Sequence, residues 1–198
     1  HVMDAPRFPY RGFLIDSSRH FLPVSTIKRI IDFLCISKLN VLHWHLTDDT
    51  SFPVESARHP ELAAKGAYHP RAVYSLAAIS AIVVHAYNRG VRVVPEFDMP
   101  GHSSWFRGRP DLTIGACGGV LDPTLDTVYT FLRSFLGEMG LLFPDPYIAL
   151  GGDEVSFSCA AGVKADWLRT HNMSATELLP YFWQRVASEV MPFLNASK

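Results

Sequence analysis

The sequence predicts an α/β fold built around a parallel sheet. Short, predominantly apolar runs typical of strands alternate four times with longer segments whose apolar residues recur at helical spacing. Strands of this composition are covered on both faces, and helical crossovers provide that cover in parallel sheets. No low-complexity linker and no internal repeat divides the 198 residues, so we expect one domain.

The predicted strands cover residues 10–16, 40–46, 91–97 and 147–150. The predicted helices cover approximately 25–38, 72–88, 124–139 and 175–190. The first helix shows the pattern well, because its apolar residues at 27, 30, 31 and 34 fall on one face. A parallel barrel and a doubly wound sheet both fit this order, and in both the strand carboxyl ends open on one side.

Composition excludes several classes of protein. The chain is 48% hydrophobic and 19% charged, which argues against disorder. Eighteen basic and 19 acidic side chains give a net charge of −1, so the basic surface typical of nucleic-acid binding is missing. The longest uncharged run, 72–88, is too short and too polar for a membrane span. The chain starts at His1 with no leader-like segment, so we expect a processed, excised or incomplete start.

Ionisable side chains gather at the four predicted strand ends. Loops at this edge of a parallel sheet form the functional site, so we expect a catalytic or binding site there. The candidates are Asp16, Arg19 and His20; His43, His45, Asp48 and Asp49; Glu96, Asp98 and His102; and Asp153 and Glu154. No dinucleotide or Walker glycine motif is present, and no Gly-x-Ser-x-Gly elbow, which leaves a metal site or carboxylate acid–base chemistry.

The metal hypothesis rests on His43 and His45. Strand alternation places both imidazoles on one face, where Asp98 or His102 would complete a site, as in metal-dependent amidohydrolase barrels. The carboxylate hypothesis rests on Asp153 and Glu154 after two glycines. A sugar-cleaving acid must hold its proton near neutral pH, which burial or a neighbouring anion provides.

Four motifs resemble family 20 of the glycoside hydrolases, the β-N-acetylhexosaminidases. They are RGFLIDSSRH from Arg11, HWHLTDD from His43, EFDMPGH from Glu96 and LGGDEV from Leu150, in the family's order. The resemblance runs from about Pro6 to the last helix. It implies a (β/α)8 TIM-type barrel of which residues 1–198 form about the N-terminal half, with four βα units.

The resemblance implies retaining hydrolysis of terminal β-linked N-acetylglucosamine or N-acetylgalactosamine without a cofactor, in which the substrate's own acetamido oxygen is the nucleophile. Glu154 matches the general acid and base, and Asp153 the residue that orients the acetamido N–H. Arg19 matches the arginine that binds sugar hydroxyls, and Asp48 and His102 match a hydrogen-bonded relay to Glu154. A supporting role is implied for Asp98, Glu96, His45, His43 and His20, whereas Trp44 is expected to pack against a helix.

The resemblance also implies a disulfide between Cys117 and Cys159, and it leaves Cys35 as a free thiol that we expect to be buried. Two sequons, at Asn172 and Asn195, fit a lysosomal or secreted glycoprotein. A homo- or heterodimer, as in the family, is a further expectation.

The chain is shorter than a complete barrel, which takes about 250 residues. Four strands alone would leave two open sheet edges and an uncovered interior. We therefore expect little hydrolysis from the isolated 198 residues. The competing hypothesis is a non-catalytic half-barrel that binds a sugar or a partner.

Overall fold

The computed structural model describes residues 1–103 and 108–195, and its centre is a parallel sheet. Strands β1 (Gly12–Asp16), β2 (Val41–Thr47) and β3 (Arg92–Phe97) lie in the order β1-β2-β3. Their register aligns Asp16 with His45 and His45 with Glu96. The predicted α/β fold with a parallel sheet is therefore confirmed.

Helices connect the strands. α1 (Val24–Ile36) joins β1 to β2, and α2 (Pro60–Gly66) and α3 (Leu76–Tyr87) join β2 to β3. α1 buries Ile27, Ile31 and Leu34 on one face, the i, i+4, i+7 spacing of an amphipathic helix. The remaining helices are α4 (Asp126–Leu142), α5 (Ala160–Val163), α6 (Ala165–Thr170), α7 (Leu178–Arg185) and α8 (Met191–Asn195). The sequence prediction missed α2, α5 and α6.

The predicted fourth strand, 147–150, is only a single parallel bridge between Glu96 and Ala149. Ala149 donates its amide hydrogen to Pro95 at 2.9 Å and accepts from Phe97 at 3.1 Å, so the segment does lie beside β3. The predicted strand was therefore too long. Pro146, which precedes the paired segment, has no amide hydrogen to donate, and Gly151, which follows it, turns the chain away with a φ of +63°. The predicted place of this strand in the sheet order was right.

The predicted helix 175–190 is composite. A 3₁₀ turn (Ala175–Glu177) leads into α7, and a π-helical segment (Val186–Val190) joins α7 to α8. A capping box begins it, in which Ser174 and the Glu177 side chain hydrogen-bond each other's backbone amides. Helical structure thus extends five residues past the predicted end.

The core lies between the sheet and the helices. Trp44 is fully buried there; its ring meets Tyr74 and Phe143 edge-on, and its indole N–H donates to Ser17 Oγ at 2.8 Å. The expected packing role of Trp44 is confirmed. On the opposite face, Leu14 stays 50% exposed and Tyr147 67% exposed. The face of the sheet opposite the core is therefore partly exposed in the described part of the chain.

A disulfide clamps two loops that follow β3 and the 148–150 segment. Cys117 lies between the short antiparallel strands β4 (Thr113–Ile114) and β5 (Val120–Leu121), and Cys159 directly precedes α5. The two are bonded across 42 residues, as expected. Closing a loop of this length stabilises the fold by roughly 4 kcal/mol in the chain-entropy account.

The expectation of a buried thiol was wrong, because Cys35 is exposed. It lies about 100° around α1 from Leu34 and about 40° from Ile31, at the edge of the buried face.

Asn172 of the first sequon is exposed. Asn195 ends α8, and the rest of its sequon, 196–198, lies outside the described residues. Nowhere in 1–103 or 108–195 is a helix both long and apolar enough to cross a bilayer.

Candidate active site

The carboxyl ends of the strands bring most of the candidate residues together. Asp16, His45 and Glu96 align across β1, β2 and β3 on the face away from the helices. Asp48 follows β2 by one residue, and Asp98 follows β3 by one residue. The expected rim is therefore a continuous cluster of charged side chains.

His45 is the centre of this cluster and is buried. Its Nε2 lies 2.8 Å from Asp48 Oδ2 and its Nδ1 lies 3.1 Å from Glu96 Oε2. Burial disfavours the charged ring, but the hydrogen bonds to Glu96 and Asp48 outweigh it and raise the pKa of His45 to about 9. His45 is thus an imidazolium at neutral pH, with both ring nitrogens facing carboxylates.

Glu96 is the counterpart of His45. Its Oε2 also lies 2.6 Å from His43 Nε2, so both imidazoles share one face, as strand alternation predicted. Burial opposes ionisation of Glu96, but the bonds to His43 and His45 prevail and lower its pKa to about 2. Ligand atoms of His45, Glu96 and Asp98 lie within 4.8 Å of one another, as do those of Asp48, Asp98 and His102, so the spacing that the metal hypothesis requires is present. Both ring nitrogens of His45 face carboxylates in the structure.

These two shifts predict how stability depends on pH. The depressed pKa of Glu96 adds stability above its unfolded value of 4.5, which is lost as pH falls through about 2. The raised pKa of His45 adds stability below its unfolded value of 6.5, which is lost as pH rises through about 9. The pair therefore contributes most between pH 4.5 and 6.5.

We expect Glu96→Gln to lower the free energy of unfolding of the full-length protein by on the order of 1–3 kcal/mol between those pH values. Urea titrations from pH 3 to pH 9.5 should show the difference shrinking towards both ends. Asp166→Asn, at an exposed position on α6, is the control and should change little. A difference that does not vary with pH would contradict the assigned charges.

Arg19 lies over the opening of this cluster. It forms ion pairs with Asp16 at 2.7 Å and Asp48 at 2.6 Å, and its side chain remains 50% exposed. Asp16 also accepts the backbone amides of Ser18 and Arg19, which fixes the turn after β1. A guanidinium held this way presents unused N–H donors to solvent, as hydroxyl recognition requires.

His20 is not brought into the cluster. It is exposed, and within the described residues it forms no hydrogen bond or ion pair. No contact among the described residues therefore supports the role implied for His20.

His102 lies in line between Asp48 and Glu154. Its Nδ1 is 3.5 Å from Asp48 Oδ1, and its Nε2 is 3.6 Å from Glu154 Oε2. The buried Nδ1 atom has no hydrogen-bond partner in the part of the chain that the structure describes. The three side chains therefore lie in the expected order, but neither hydrogen bond of the expected relay is formed at these distances. The relay itself stays a prediction.

Asp153 and Glu154 face the same opening. Polar atoms of His102, Asp153 and Glu154 all lie within 4.8 Å of one another. The Glu154 side chain is 79% exposed, so the described residues do not supply the burial expected around a general acid. Glu154 also has a φ of +56°, a left-handed conformation unusual for a non-glycine residue and frequent at functional sites.

Asp98 anchors the loop that carries this pair. It is buried, and its Oδ1 accepts the amide hydrogen of Gly152 at 3.1 Å. Burial raises the pKa of Asp98 to about 6, against the opposing effect of that hydrogen bond. A side chain at Gly151 would overlap the Asp98 carboxylate, and one at Gly152 would lie 2.6 Å from the Trp183 ring. The two glycines therefore let the loop pack against Asp98 and Trp183.

No pattern in the sequence indicated the contact of Trp183 with this loop. Trp183 lies on α7, 31 positions beyond Gly152 along the chain. The paired glycines were a signal for a close approach, but not for which residue approaches.

Comparison with known proteins identifies the family. The model of the glycosyl hydrolase family 20 catalytic domain matches residues 8–192. The chain belongs to glycosyl hydrolase family 20. Among its relatives are β-hexosaminidase subunit β of Mus musculus, 47% identical over 169 residues, and β-hexosaminidase A of Caenorhabditis elegans, 47% identical over 164 residues. These alignments cover 81% and 78% of this chain but 32% and 30% of the relatives.

Solved structures of family 20 members share the fold. An exo-β-N-acetylglucosaminidase from Vibrio harveyi superposes with a TM-score of 0.85 at 30% identity, covering 96% of this chain and 35% of that one. The β-N-acetylhexosaminidase of Streptomyces coelicolor superposes at 0.78 and 28% identity, covering 96% and 39%. The chain thus spans about a third of the length of the curated relatives it matches.

Proposed function

We propose that this chain is the N-terminal half, residues 1–198, of the (β/α)8 catalytic barrel of a β-N-acetylhexosaminidase. Support comes from three strands and a bridged fourth segment in parallel order, from the open interior face, and from relatives about three times as long. The remaining strands would pair with the free edges and cover Leu14 and Tyr147. The proposed substrates are glycoconjugates ending in β-linked N-acetylglucosamine or N-acetylgalactosamine.

The observation that carries the proposal is the meeting of His102, Asp153 and Glu154 at one opening, with Asp48 behind His102. In the proposed reaction, the acetamido oxygen of the substrate attacks the anomeric carbon while Glu154 gives its proton to the departing glycosidic oxygen. The products of this step are the free aglycone and an oxazolinium intermediate. A tethered nucleophile is effective because capture costs no translational entropy.

Glu154 then acts as a base in the second step. Its carboxylate takes a proton from a water molecule whose oxygen bonds to the anomeric carbon, and the C–O bond of the oxazolinium ring breaks. The acetamido group and the proton on Glu154 are both restored. Two inversions at the anomeric carbon give overall retention.

Each neighbouring group has a proposed part in these steps. Asp153 accepts the acetamido N–H and stabilises positive charge on the ring. Arg19, held by Asp16 and Asp48 with its outer face open, donates to sugar hydroxyls. His102 lies between Asp48 and Glu154 and transmits the electrostatic effect of the Asp48 carboxylate to Glu154. The burial that Glu154 lacks among the described residues would come from the rest of the barrel and from the bound sugar.

We infer a lysosomal or secreted location for the protein. The Cys117–Cys159 disulfide and the exposed Asn172 sequon are typical of the secretory pathway. Relatives named as α and β subunits of β-hexosaminidase favour a homo- or heterodimer.

The activity test uses the full-length protein and two aryl glycosides that differ only at position 2. We expect release of the chromophore from the N-acetyl-β-glucosaminide at least about 10³-fold faster than from the β-glucoside, because only the former carries the nucleophile. The isolated 198-residue chain should release little from either. Equal rates on the two glycosides would contradict the reaction, and no release by the full-length protein would reject the proposed activity.

A further inference from the structure

We propose that His45 is a positioning residue for this reaction, which fixes the Asp48 carboxylate and through it the ring of His102. The proposal rests on the proposed function, because it assigns His45 an effect on Glu154. It adds a specific route to the general supporting role that the resemblance implied. The residues involved are His45, Asp48, Glu96 and His102, with Arg19 at the surface.

The contacts of His45 favour a positively charged ring. Carboxylate oxygens face both of its nitrogens, Asp48 Oδ2 at 2.8 Å and Glu96 Oε2 at 3.1 Å. A neutral imidazole has one lone pair, which would point at one of these oxygens and repel it. Only the doubly protonated ring carries a proton on the nitrogen that faces each of them, and the residue is buried, with 6% exposure.

The two carboxylate oxygens of Asp48, which is 2% exposed, have different partners. Its Oδ2 receives two cations, His45 and Arg19, at 2.8 and 2.6 Å. Its Oδ1 receives the backbone amide of Asp49 at 2.7 Å and faces His102 Nδ1 at 3.5 Å. With Oδ2 occupied on both sides, Oδ1 is the atom left to direct His102.

The Asp48 carboxylate influences which ring nitrogen of His102 carries the proton. An anionic Oδ1 favours a proton on Nδ1 of His102, which leaves Nε2 free to exchange a proton with Glu154, 3.6 Å away. If His45 lost its charge, Asp48 would keep one cation, Arg19, instead of two, and its negative charge would be less well stabilised. His102 would then be held less firmly in the tautomer that this anion favours.

Among the described residues, Arg19 is the other cation paired with Asp48, and it already occupies the same Oδ2 atom as His45. The ionisable groups around His45 are Asp16 from β1, His43 and Asp48 from β2 and its end, and Glu96 and Asp98 from β3 and its end. His102 is faced by Asp48, Asp49, Asp98, Asp153 and Glu154. His43 contacts Glu96 but forms no ion pair with Asp48.

The test is His45→Gln in the full-length protein. We expect kcat on a poorly activated N-acetyl-β-glucosaminide to fall about 10- to 100-fold, as is typical when a partner of a reacting group is removed, with KM changed less than about threefold. The acidic limb of the kcat/KM pH profile should move to higher pH, because one of the two cations that stabilise the carboxylate of Asp48 is removed. The loss should shrink on substrates with acidic leaving groups, which need less help from Glu154.

The matched control is His85→Gln. His85 on α3 also pairs with a carboxylate, Asp32 at 2.9 Å, but it lies among the outer helices and should leave kcat and the pH profile unchanged. An equal loss on all leaving groups with an unmoved pH profile would mean that His45 is only structural, which would overturn the proposal.

A second measurement does not depend on the variant folding or on activity. In wild-type protein labelled with ¹⁵N-histidine, both ring nitrogens of His45 should carry protons at pH 7. One unprotonated nitrogen there would overturn the proposal even if hydrolysis is observed. Protonated nitrogens in a protein that hydrolyses no N-acetylhexosaminide would leave the His45 geometry standing and reject the proposed function instead.

Discussion

Replacing Glu154 with glutamine is expected to lower kcat on alkyl N-acetyl-β-glucosaminides by about 10²- to 10⁴-fold, the range that general acid catalysis contributes. Glutamine has nearly the same shape and keeps an oxygen towards His102, but it has no proton to give to the departing oxygen. KM should change little, because Arg19 and Asp153 remain. The measurement is steady-state kinetics on the full-length protein.

Glu177→Gln is the control for this variant. Glu177 is the second member of the capping box with Ser174, and glutamine fills that position equally well. It should leave kcat and stability unchanged. Near-normal turnover by Glu154→Gln on an alkyl glycoside would reject Glu154 as the acid.

Gly151→Ala is expected to abolish most of the activity and to lower the free energy of unfolding by about 2–4 kcal/mol. The φ of +63° at Gly151 costs a residue with a Cβ roughly 1–2 kcal/mol. The new methyl group would also overlap the Asp98 carboxylate, so the hydrogen bond from Gly152 to Asp98 would break. The loop that carries Asp153 and Glu154 would then leave its place beside His102.

Gly137→Ala provides the comparison. Gly137 lies within α4 with open space around it, and alanine in a helix interior is about 0.5–1 kcal/mol better than glycine. Thermal unfolding should therefore show Gly137→Ala to be more stable than the wild type and Gly151→Ala to be less stable. Measurements of kcat should show activity lost only in Gly151→Ala. Wild-type kcat in a stable Gly151→Ala protein would contradict the packing described for the loop.

Local pattern was sufficient to predict the sheet and the rim. β1, β2 and β3 are apolar runs bounded by polar residues, and the parallel arrangement forces their ends to one side. The register that aligns Asp16, His45 and Glu96 across the three strands is a finding of the structure, which the sequence did not predict. The His43 and His45 rings were correctly placed on one face, because side chains alternate along a strand.

Features that depend on long-range packing were not predictable in this way. The short helices α2, α5 and α6 have too few residues for a helical period to be visible. The 148–150 segment is apolar like a strand, yet Pro146 and Gly151 limit its pairing. The contacts of Asp98 with Gly152 and of Trp183 with the same loop join residues 54 and 31 positions apart, and no local pattern encodes them.

The distribution of charge was predictable only in outline. Residue types at the strand ends indicated either a metal site or carboxylate acid–base chemistry, but the ionic states of His45 and Glu96 come from their mutual distances and burial. The exposed Cys35 shows that burial cannot be predicted from sequence neighbours alone, since a residue next to a buried leucine in a helix need not be buried.

The most direct test of the account is the dependence of the Glu154→Gln defect on the leaving group. A series of N-acetyl-β-glucosaminides from alkyl to dinitrophenyl spans leaving groups that need much or little protonation. The account predicts a loss in kcat/KM of at least about 10²-fold at the alkyl end that shrinks to less than about tenfold for dinitrophenol. A uniform loss across the whole series would contradict it.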